Sequence, residues 1–256
     1  MYHSITFGDG TLYPEGDPRE GQFAGVNTWD DWHLIPAERP SVATTQVSTN
    51  FVSVPGRDGS FDMTEFLMNR PTYSDRSGSW EFYVDNDHEY WETIRRKIMS
   101  FLHGNRMKAV LEDDPDWYWE GRFSVGNWDS EASHSKITIN YVMSPYKRRI
   151  REEGNQDIVW DNFSFETDSD YYTEFNEIIL EGTTYTGTLP GSDYPTPVSA
   201  NVTVEPGNQV AITLNGVTKT ATSSGTYQLG RTVEGDNAIQ ISETGTVGLV
   251  FRSGSL

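Results

Sequence analysis

The side chains in this sequence best suited to chemistry are carboxylates, which cluster at Glu112, Asp113, Asp114 and Asp116. A run of carboxylates can bind calcium, and a pair of them across a cleft can hydrolyse a glycosidic bond. This run lacks the Asp-x-Asn/Asp-x-Asn/Asp-Gly spacing of a calcium loop, and no partner carboxylate across a cleft can be assigned. The favoured interpretation is an Asp-rich turn around Pro115 that joins two strands.

The sequence holds no other pattern typical of catalysis or metal binding. It has no cysteine, which excludes disulfides, thiolate catalysis and cysteine-ligated metals. The five histidines stand outside any His-x-x-x-His or His-Glu-x-x-His spacing: His3, His33, His88, His103 and His134. There is no nucleophile elbow, no Walker loop, and no dinucleotide fingerprint beyond Gly8-x-Gly10. We therefore predict a protein that is not an enzyme and has no cofactor or metal; a carboxylate-dependent hydrolase is the alternative.

Sugar binding is a separate hypothesis for the second half of the chain. Sugar-binding sandwiches stack the ligand on an exposed aromatic ring. Tyr194 lies in the loop Gly191-Ser192-Asp193-Tyr194-Pro195 and is the better exposed candidate for a glycan contact. Trp160, within Ile158-Val159-Trp160, is more typical of a core or a domain junction. The alternative function is thus a carbohydrate-binding module that contacts cell-wall glycans.

The formal net charge of −19 argues against direct binding to nucleic acid, which depends on clustered Lys and Arg. The charge is unevenly distributed. Residues 1–150 carry 15 Lys and Arg against 23 Asp and Glu, whereas residues 151–256 carry 4 against 15. This break, together with the linker-like Arg151–Asn155, predicts two domains, 1–150 and 151–256.

No apolar run approaches the roughly 20 residues of a membrane-spanning helix, so we expect no membrane anchor. The segment Met1–Phe7 lacks the basic and apolar regions of a secretory signal, which predicts synthesis in a cytoplasm.

The first half reads as strands with one helix. Alternating apolar and polar residues predict strands at Ser4–Phe7, Gln46–Val54, Ser79–Val84, Met107–Leu111, Tyr118–Val125 and Ser135–Val142. On the last of these, Ile137, Ile139 and Tyr141 should share one face. Residues Gly8 to Val26, which include Pro14 and Pro18, are typical of an exposed loop.

A helix is predicted after Asp87, which is a favourable N-cap with Glu89 in the first turn. Its apolar residues recur at helical spacing: Trp91, Ile94, Ile98, Phe101 and Leu102. Gly104 stands where a left-handed residue usually ends a helix.

The second half reads as strands without a helix, which predicts an antiparallel β-sandwich. The predicted strands are Ile158–Phe165, Phe175–Glu181, Ala200–Glu205, Gln209–Leu214, Thr226–Leu229, Ala238–Ser242 and Thr246–Arg252. Turn signals separate them, among them Thr244-Gly245. Asn215-Gly216 is the clearest, because it predicts a two-residue hairpin.

Three features of the first half could serve an oligomer interface: Trp29 and Trp32, the turn Pro55–Ser60 with Arg57, and the helix residues Arg95, Arg96 and Lys97. Each has a plainer interpretation. The tryptophans are more typical of aromatic anchors in an irregular segment. The basic helix residues are more typical of a solvated face, although they could also meet a neighbour's carboxylates.

The first half resembles the distal tail (Dit) proteins of siphophages and Gram-positive prophages. The blocks that carry the resemblance are Asn27–Trp32, Val54–Glu65, Arg76–Phe82, Leu102–Gly104, Met107–Pro115 and Tyr118–Phe123, in that order across nearly all of residues 1–150. The second half looks like the galectin-like sandwich of these proteins, including its ending Gly245–Arg252. The Gly- and Pro-rich insert Gly8–Gly25 departs from the family pattern in its length.

The resemblance implies a mainly β protein: an N-terminal barrel- or sandwich-like domain with one α-helix, followed by a galectin-like antiparallel β-sandwich. It implies a homo-hexameric ring at the tail tip in the virion, built by the N-terminal halves and stacked on the tail tube protein. The C-terminal halves would hold a tail-associated lysin, tail fibre or receptor-binding protein. Synthesis would occur in the host bacterial cytoplasm, and no catalytic residue belongs to this role.

Overall fold

The structure is a computed structural model. It describes residues 3–14, 16–66, 70–85, 90–130, 135–150, 175, 177–189, 191, 195–233, 235–251 and 254–256. The chain forms two compact units, Met1–Lys147 and Arg148–Leu256. The predicted mainly β class with one helix is confirmed within the described ranges. No described helix is long and apolar enough to cross a membrane.

The first unit is built on one antiparallel sheet. Its strands are β1 (Ile5–Gly8), β2 (Val26–Asn27), β3 (Leu34–Pro36), β4 (Phe51–Ser53), β5 (Ser60–Asp62), β6 (Arg76–Val84), β7 (Arg106–Leu111), β8 (Trp117–Ser130) and β9 (Ser135–Met143). The main path of the sheet runs β2-β1-β7-β8-β9-β6-β3, and β4 and β5 form a separate hairpin. A short strand, β10 (Lys147–Arg149), follows at the division between the units.

Side-chain alternation decides which face of each strand is buried. Along β9, Ile137, Ile139 and Tyr141 point into the core, as their spacing predicted. On the neighbouring strand β6, Trp80 and Phe82 do the same, because the antiparallel register places Trp80 opposite Ile139 and Phe82 opposite Ile137. These facing pairs form the centre of the core.

The helix α1 (Trp91–Leu102) packs its apolar stripe on the sheet against β8. Its residues Trp91, Ile94, Ile98 and Leu102 are buried, which confirms the predicted spacing. The helix begins at Trp91 with Tyr90 as its N-cap residue, whereas the predicted cap Asp87 and Glu89 lie outside the described residues. Gly104 adopts φ +80°, as predicted for the residue that ends the helix.

The predicted loop from Gly8 to Val26 is more ordered than an exposed loop. Leu12 forms an isolated antiparallel bridge with Phe23, and the Tyr13 amide donates to the Gln22 carbonyl at 2.9 Å. Phe23 is 9% exposed, because the returning half of this loop packs against Gly8 at the end of β1. The prediction of an exposed loop was therefore wrong at Phe23.

The second unit is an antiparallel β structure around one apolar cluster. Its strands are β11 (Ile178–Leu189), β12 (Pro197–Thr203), β13 (Val210–Leu214), β14 (Val217–Ala221), β15 (Gly225–Arg231), β16 (Asn237–Val250) and β17 (Gly254–Ser255). The predicted hairpin at Asn215-Gly216 is confirmed: Leu214 pairs with Val217, and both turn residues have positive φ. The predicted strand Ile158–Phe165 and linker Arg151–Asn155 lie outside the described residues.

The predicted break at Thr244-Gly245 was wrong, since β16 runs without interruption through it. The signal marks a bend instead. Glu243 has φ 83° and Gly245 has φ 158°, and a Cβ on Gly245 would come within 2.6 Å of Val210. The bend transfers β16 from pairing with β13 before it to pairing with β12 after it, so one strand closes both sides of the core.

Candidate subunit interface

The carboxylate run of the sequence is a strand-joining turn whose members bind separate neighbours. The contacts are Glu112 with the Ser4 amide (2.8 Å), Asp113 with His3 (2.8 Å) and Arg39 (2.8 Å), and Asp114 with Lys147 (2.6 Å). The Arg39 and His3 hydrogen bonds hold the pKa of Asp113 below its ordinary value. Among the described residues no group of three or more acidic or histidine side chains could hold a metal. These carboxylates fix the end of β1 to the turn.

A pocket of about 170 Å³ lies among the described residues of the second unit. It is lined by Arg148, Thr196, Pro197, Ser199, Gln228, Val250 and Phe251. Its aromatic residue, Phe251, is 3% exposed and offers no ring for sugar stacking. Tyr194, the predicted glycan contact, lies outside the described residues.

The segment that carries Trp29 and Trp32 is a turn held by Asn27. The Asn27 side chain accepts hydrogen bonds from the amides of Trp29 (2.8 Å) and Asp30 (3.1 Å), which fixes the backbone ahead of Trp32. Trp32 is 4% exposed and packs within 6.2 Å of Phe7 in the core. Trp29 is half-buried. Most of the Trp32 surface thus contacts its own domain, in keeping with an aromatic anchor in an irregular segment.

The three basic helix residues have different environments. Arg95 lies 3.6 Å from Glu92, one turn earlier, in an exposed ion pair. Arg96 donates a weak hydrogen bond to the Thr93 hydroxyl at 3.4 Å. Lys97 is exposed, and within the described part of the chain neither it nor Arg96 forms an ion pair with a carboxylate.

Arg96 and Lys97 meet Trp32 at an open groove of about 640 Å³, here called the helix groove. It is lined by Val26, Trp32, Thr93, Arg96, Lys97, Ser100 and Phe101. Phe101 lies edge-on to Trp32 at 5.8 Å, so the floor is apolar and the rim is basic. The structure therefore unites three of the six predicted interface residues, while Trp29, Arg57 and Arg95 lie outside the groove.

Arg57 stands at the tip of the β4–β5 hairpin, within a segment that we call the arm (residues 46–66). The Arg57 guanidinium covers the Phe61 ring at 3.6 Å. Every residue from 46 to 62 is exposed. The arm carries six large apolar side chains on its surface: Val47 (45% exposed), Phe51 (59%), Val52 (43%), Val54 (40%), Phe61 (46%) and Phe66 (74%). A concentration of exposed apolar residues on one projecting element is typical of a protein-binding surface.

The arm is attached firmly to the sheet at its base. Arg76, the first residue of β6, is 7% exposed and donates to the carbonyls of Pro145 and Ala43, each at 2.8 Å. Beyond this anchor, the Ser48 amide donates to the Thr72 carbonyl at 2.7 Å and the Ser74 amide donates to the Gln46 carbonyl at 2.9 Å, which marks the start of the arm. Burial lowers the pKa of Arg76. A rigid base with an exposed tip lets the arm reach a partner at small entropic cost.

The apolar surface of the arm was missed in the sequence, because the alternation in Gln46–Val54 was used only to predict a strand. The signal was present in the adjacent pair Phe51-Val52. Successive residues of a strand point to opposite faces. Such a pair places an apolar group on both faces, which a strand with one solvated face does not need.

The described geometry can be compared with known proteins. No protein-family model matches the sequence, and no curated protein matches it. A solved structure does: the crystal structure of SPP1 Dit (gp 19.1), titled a paradigm of hub adsorption apparatus in Gram-positive infecting phages, at TM-score 0.62 and 12% identity. The match covers 98% of this chain and 99% of the SPP1 protein.

The chain has the fold of SPP1 Dit. The resemblance seen in the sequence blocks of residues 1–150 is thereby confirmed at the level of fold. The Dit-like fold extends over both units, although the second half resembles the family by pattern more than by motif.

Proposed function

We propose that this chain is a structural protein of a phage tail tip. It forms a homo-hexameric ring that joins the tail tube protein to a tail-associated lysin, tail fibre or receptor-binding protein. It acts in the virion after synthesis in the host cytoplasm. The observation that carries this proposal is the match to a hub protein over the whole chain, with both units included.

Within this proposal the two halves have separate roles. Residues 1–150 form the ring, since the arm and the helix groove both belong to them. Residues 151–256 form a galectin-like domain that holds the outer baseplate proteins. The chain acts through binding surfaces and not through catalysis, in keeping with carboxylates that serve as turn contacts.

The energetics favour the arm as the main source of association. Full burial of one Val or Phe side chain contributes about 1.5–3 kcal/mol. Association itself costs roughly 4–15 kcal/mol in lost translational and rotational freedom. The six exposed apolar residues of the arm can offset that cost together, whereas no single ion pair at the surface can, because such pairs contribute about 0–1 kcal/mol.

The test compares the sedimentation of the full chain with that of Phe51→Ser, which removes an apolar group 59% exposed on the arm. We expect this variant to shift assembly to higher protein concentration. Ile179→Ser is the matched control, because Ile179 is 64% exposed in the second unit. Equal assembly of the Phe51→Ser variant and wild type would remove the arm from the interface.

A further inference from the structure

The arm and the helix groove belong to opposite ends of strand β6. The start of the arm at Gln46 is bonded to Ser74, two residues before β6 begins at Arg76. At its other end β6 stops at Val84, and α1 is the next element in the chain. Trp32 in the groove lies two residues before Leu34, which pairs with Val84. At about 3.3 Å per residue, the two ends of β6 are roughly 26 Å apart.

In the free chain the arm is exposed and the groove is open. An arm that fills a groove is therefore expected to come from another copy. A contact between two different surfaces is heterologous, and repeated from copy to copy it produces a ring when the rotation closes.

The two surfaces match in chemistry. The groove has an apolar floor and a rim that carries Arg96 and Lys97. The arm carries exposed phenylalanines, the carboxylates of Asp58, Asp62 and Glu65, and the single cation Arg57, so its formal net charge is −2. In a chain of net charge −19, this exposed basic rim is a suitable place for an acidic segment of a second copy.

The groove is shallow and open to solvent, so an occupant would lie across it instead of being enclosed. The half-buried side chains of Phe101 and Val26 provide its apolar surface, whereas Trp32 is buried beside Phe101.

We propose that the arm of one copy binds the helix groove of the next copy, with Phe61 and Phe66 over Phe101 and Val26 and the arm carboxylates beside Arg96 and Lys97. This assignment rests on the proposed ring. In such a ring each copy contributes its arm to one neighbour and its groove to the other, so every contact is head-to-tail.

Engineered disulfides provide the test, because the full chain has no cysteine of its own. Ser60→Cys places a thiol on the arm and Ser100→Cys places one on the groove. Under mild oxidation the double variant should form a covalent ladder that extends to six copies. A mixture of the two single variants should stop at covalent dimers. The control pairs Ser60→Cys with Met99→Cys, since Met99 is 37% exposed on the same helix but does not line the groove.

Rings that assemble without a Ser60–Ser100 cross-link above this control would overturn the groove assignment and leave the proposed function standing. Cross-linked dimers from Ser60→Cys alone would also overturn it, because they indicate arms that meet each other. A chain that stays monomeric at every concentration would overturn both the groove and the ring.

A charge reversal gives an independent readout. Lys97→Glu should raise the protein concentration at half-assembly by about tenfold or more, as expected for a like charge placed in a close pair. Arg95→Glu should leave it unchanged, because Arg95 lies outside the groove. An equal effect of both substitutions would refute a specific role for the groove rim.

Discussion

Ile98→Asp is the sharpest test of how the helix groove is held in place. Ile98 is fully buried at the centre of the α1 stripe, and the helix forms one wall of the groove. Truncation of a buried Ile to Ala costs about 2–5 kcal/mol. A carboxylate at this site adds the cost of placing a polar group among apolar neighbours, so the total exceeds that range. Domains have a free energy of unfolding of about 5–15 kcal/mol, and the change should therefore unfold much of the first unit.

The assay is urea unfolding followed by tryptophan fluorescence at pH 7, with Met99→Asp as the matched control. Met99 is the next residue on the helix and is 37% exposed, so its substitution should cost under about 0.5 kcal/mol. The Ile98 variant should also lose ring assembly, because the groove wall is lost. If Ile98→Asp unfolds at the same urea concentration as wild type, the stripe is not part of the core and the groove has another wall.

Three further outcomes are expected. Asn237→Leu should destabilise the second unit by about 2–5 kcal/mol, because the buried Asn237 side chain hydrogen-bonds both the Val233 amide (2.6 Å) and the Val233 carbonyl (3.0 Å). The control is Asn201→Leu, at an exposed position. Equal melting temperatures of the two variants would refute a stabilising role for the Asn237 hydrogen bonds. Asp113→Asn should lower the free energy of unfolding at neutral pH. The difference from wild type should shrink as pH falls below 3.8, because the native pKa of Asp113 is depressed and the stability that its carboxylate contributes is lost on protonation. A difference that does not depend on pH would contradict this. Limited proteolysis should cut the full chain within residues 146–156 and leave two resistant fragments, and a single resistant core across that range would refute the proposed domains.

Many helices and strands of the first unit can be predicted from local sequence, because the spacing of their apolar residues fits one type of secondary structure only. Trp91, Ile94 and Ile98 fit only a helical stripe, and Ile137 and Ile139 fit only a strand with one buried face. The order of the strands in the sheet does not follow in this way. The pairing of β1 with β7, about a hundred residues later, depends on long-range burial that no short window of sequence records.

Two differences have specific physical causes. Thr244-Gly245 carries the composition of a turn, yet it forms a bend in one strand, because β11 pairs with β16 on both sides of it, across a register shift between Glu181 and Thr183. The helix groove could not be predicted, since Trp32 and Phe101 are about 70 residues apart and meet only after the core closes. Arg96 and Lys97 are candidate interface residues on the basis of charge alone, and only the fold shows that they share a surface from which Arg95 is excluded.

The mass of the full chain in solution tests the central claim most directly. Surface repulsion among acidic copies is screened within about 8–10 Å at physiological salt, so assembly should increase with both salt and protein concentration. The account predicts a species of about 174 kDa, six copies of the 29.0 kDa chain, at high protein concentration and moderate salt. A mass of 29.0 kDa at every protein and salt concentration would contradict it.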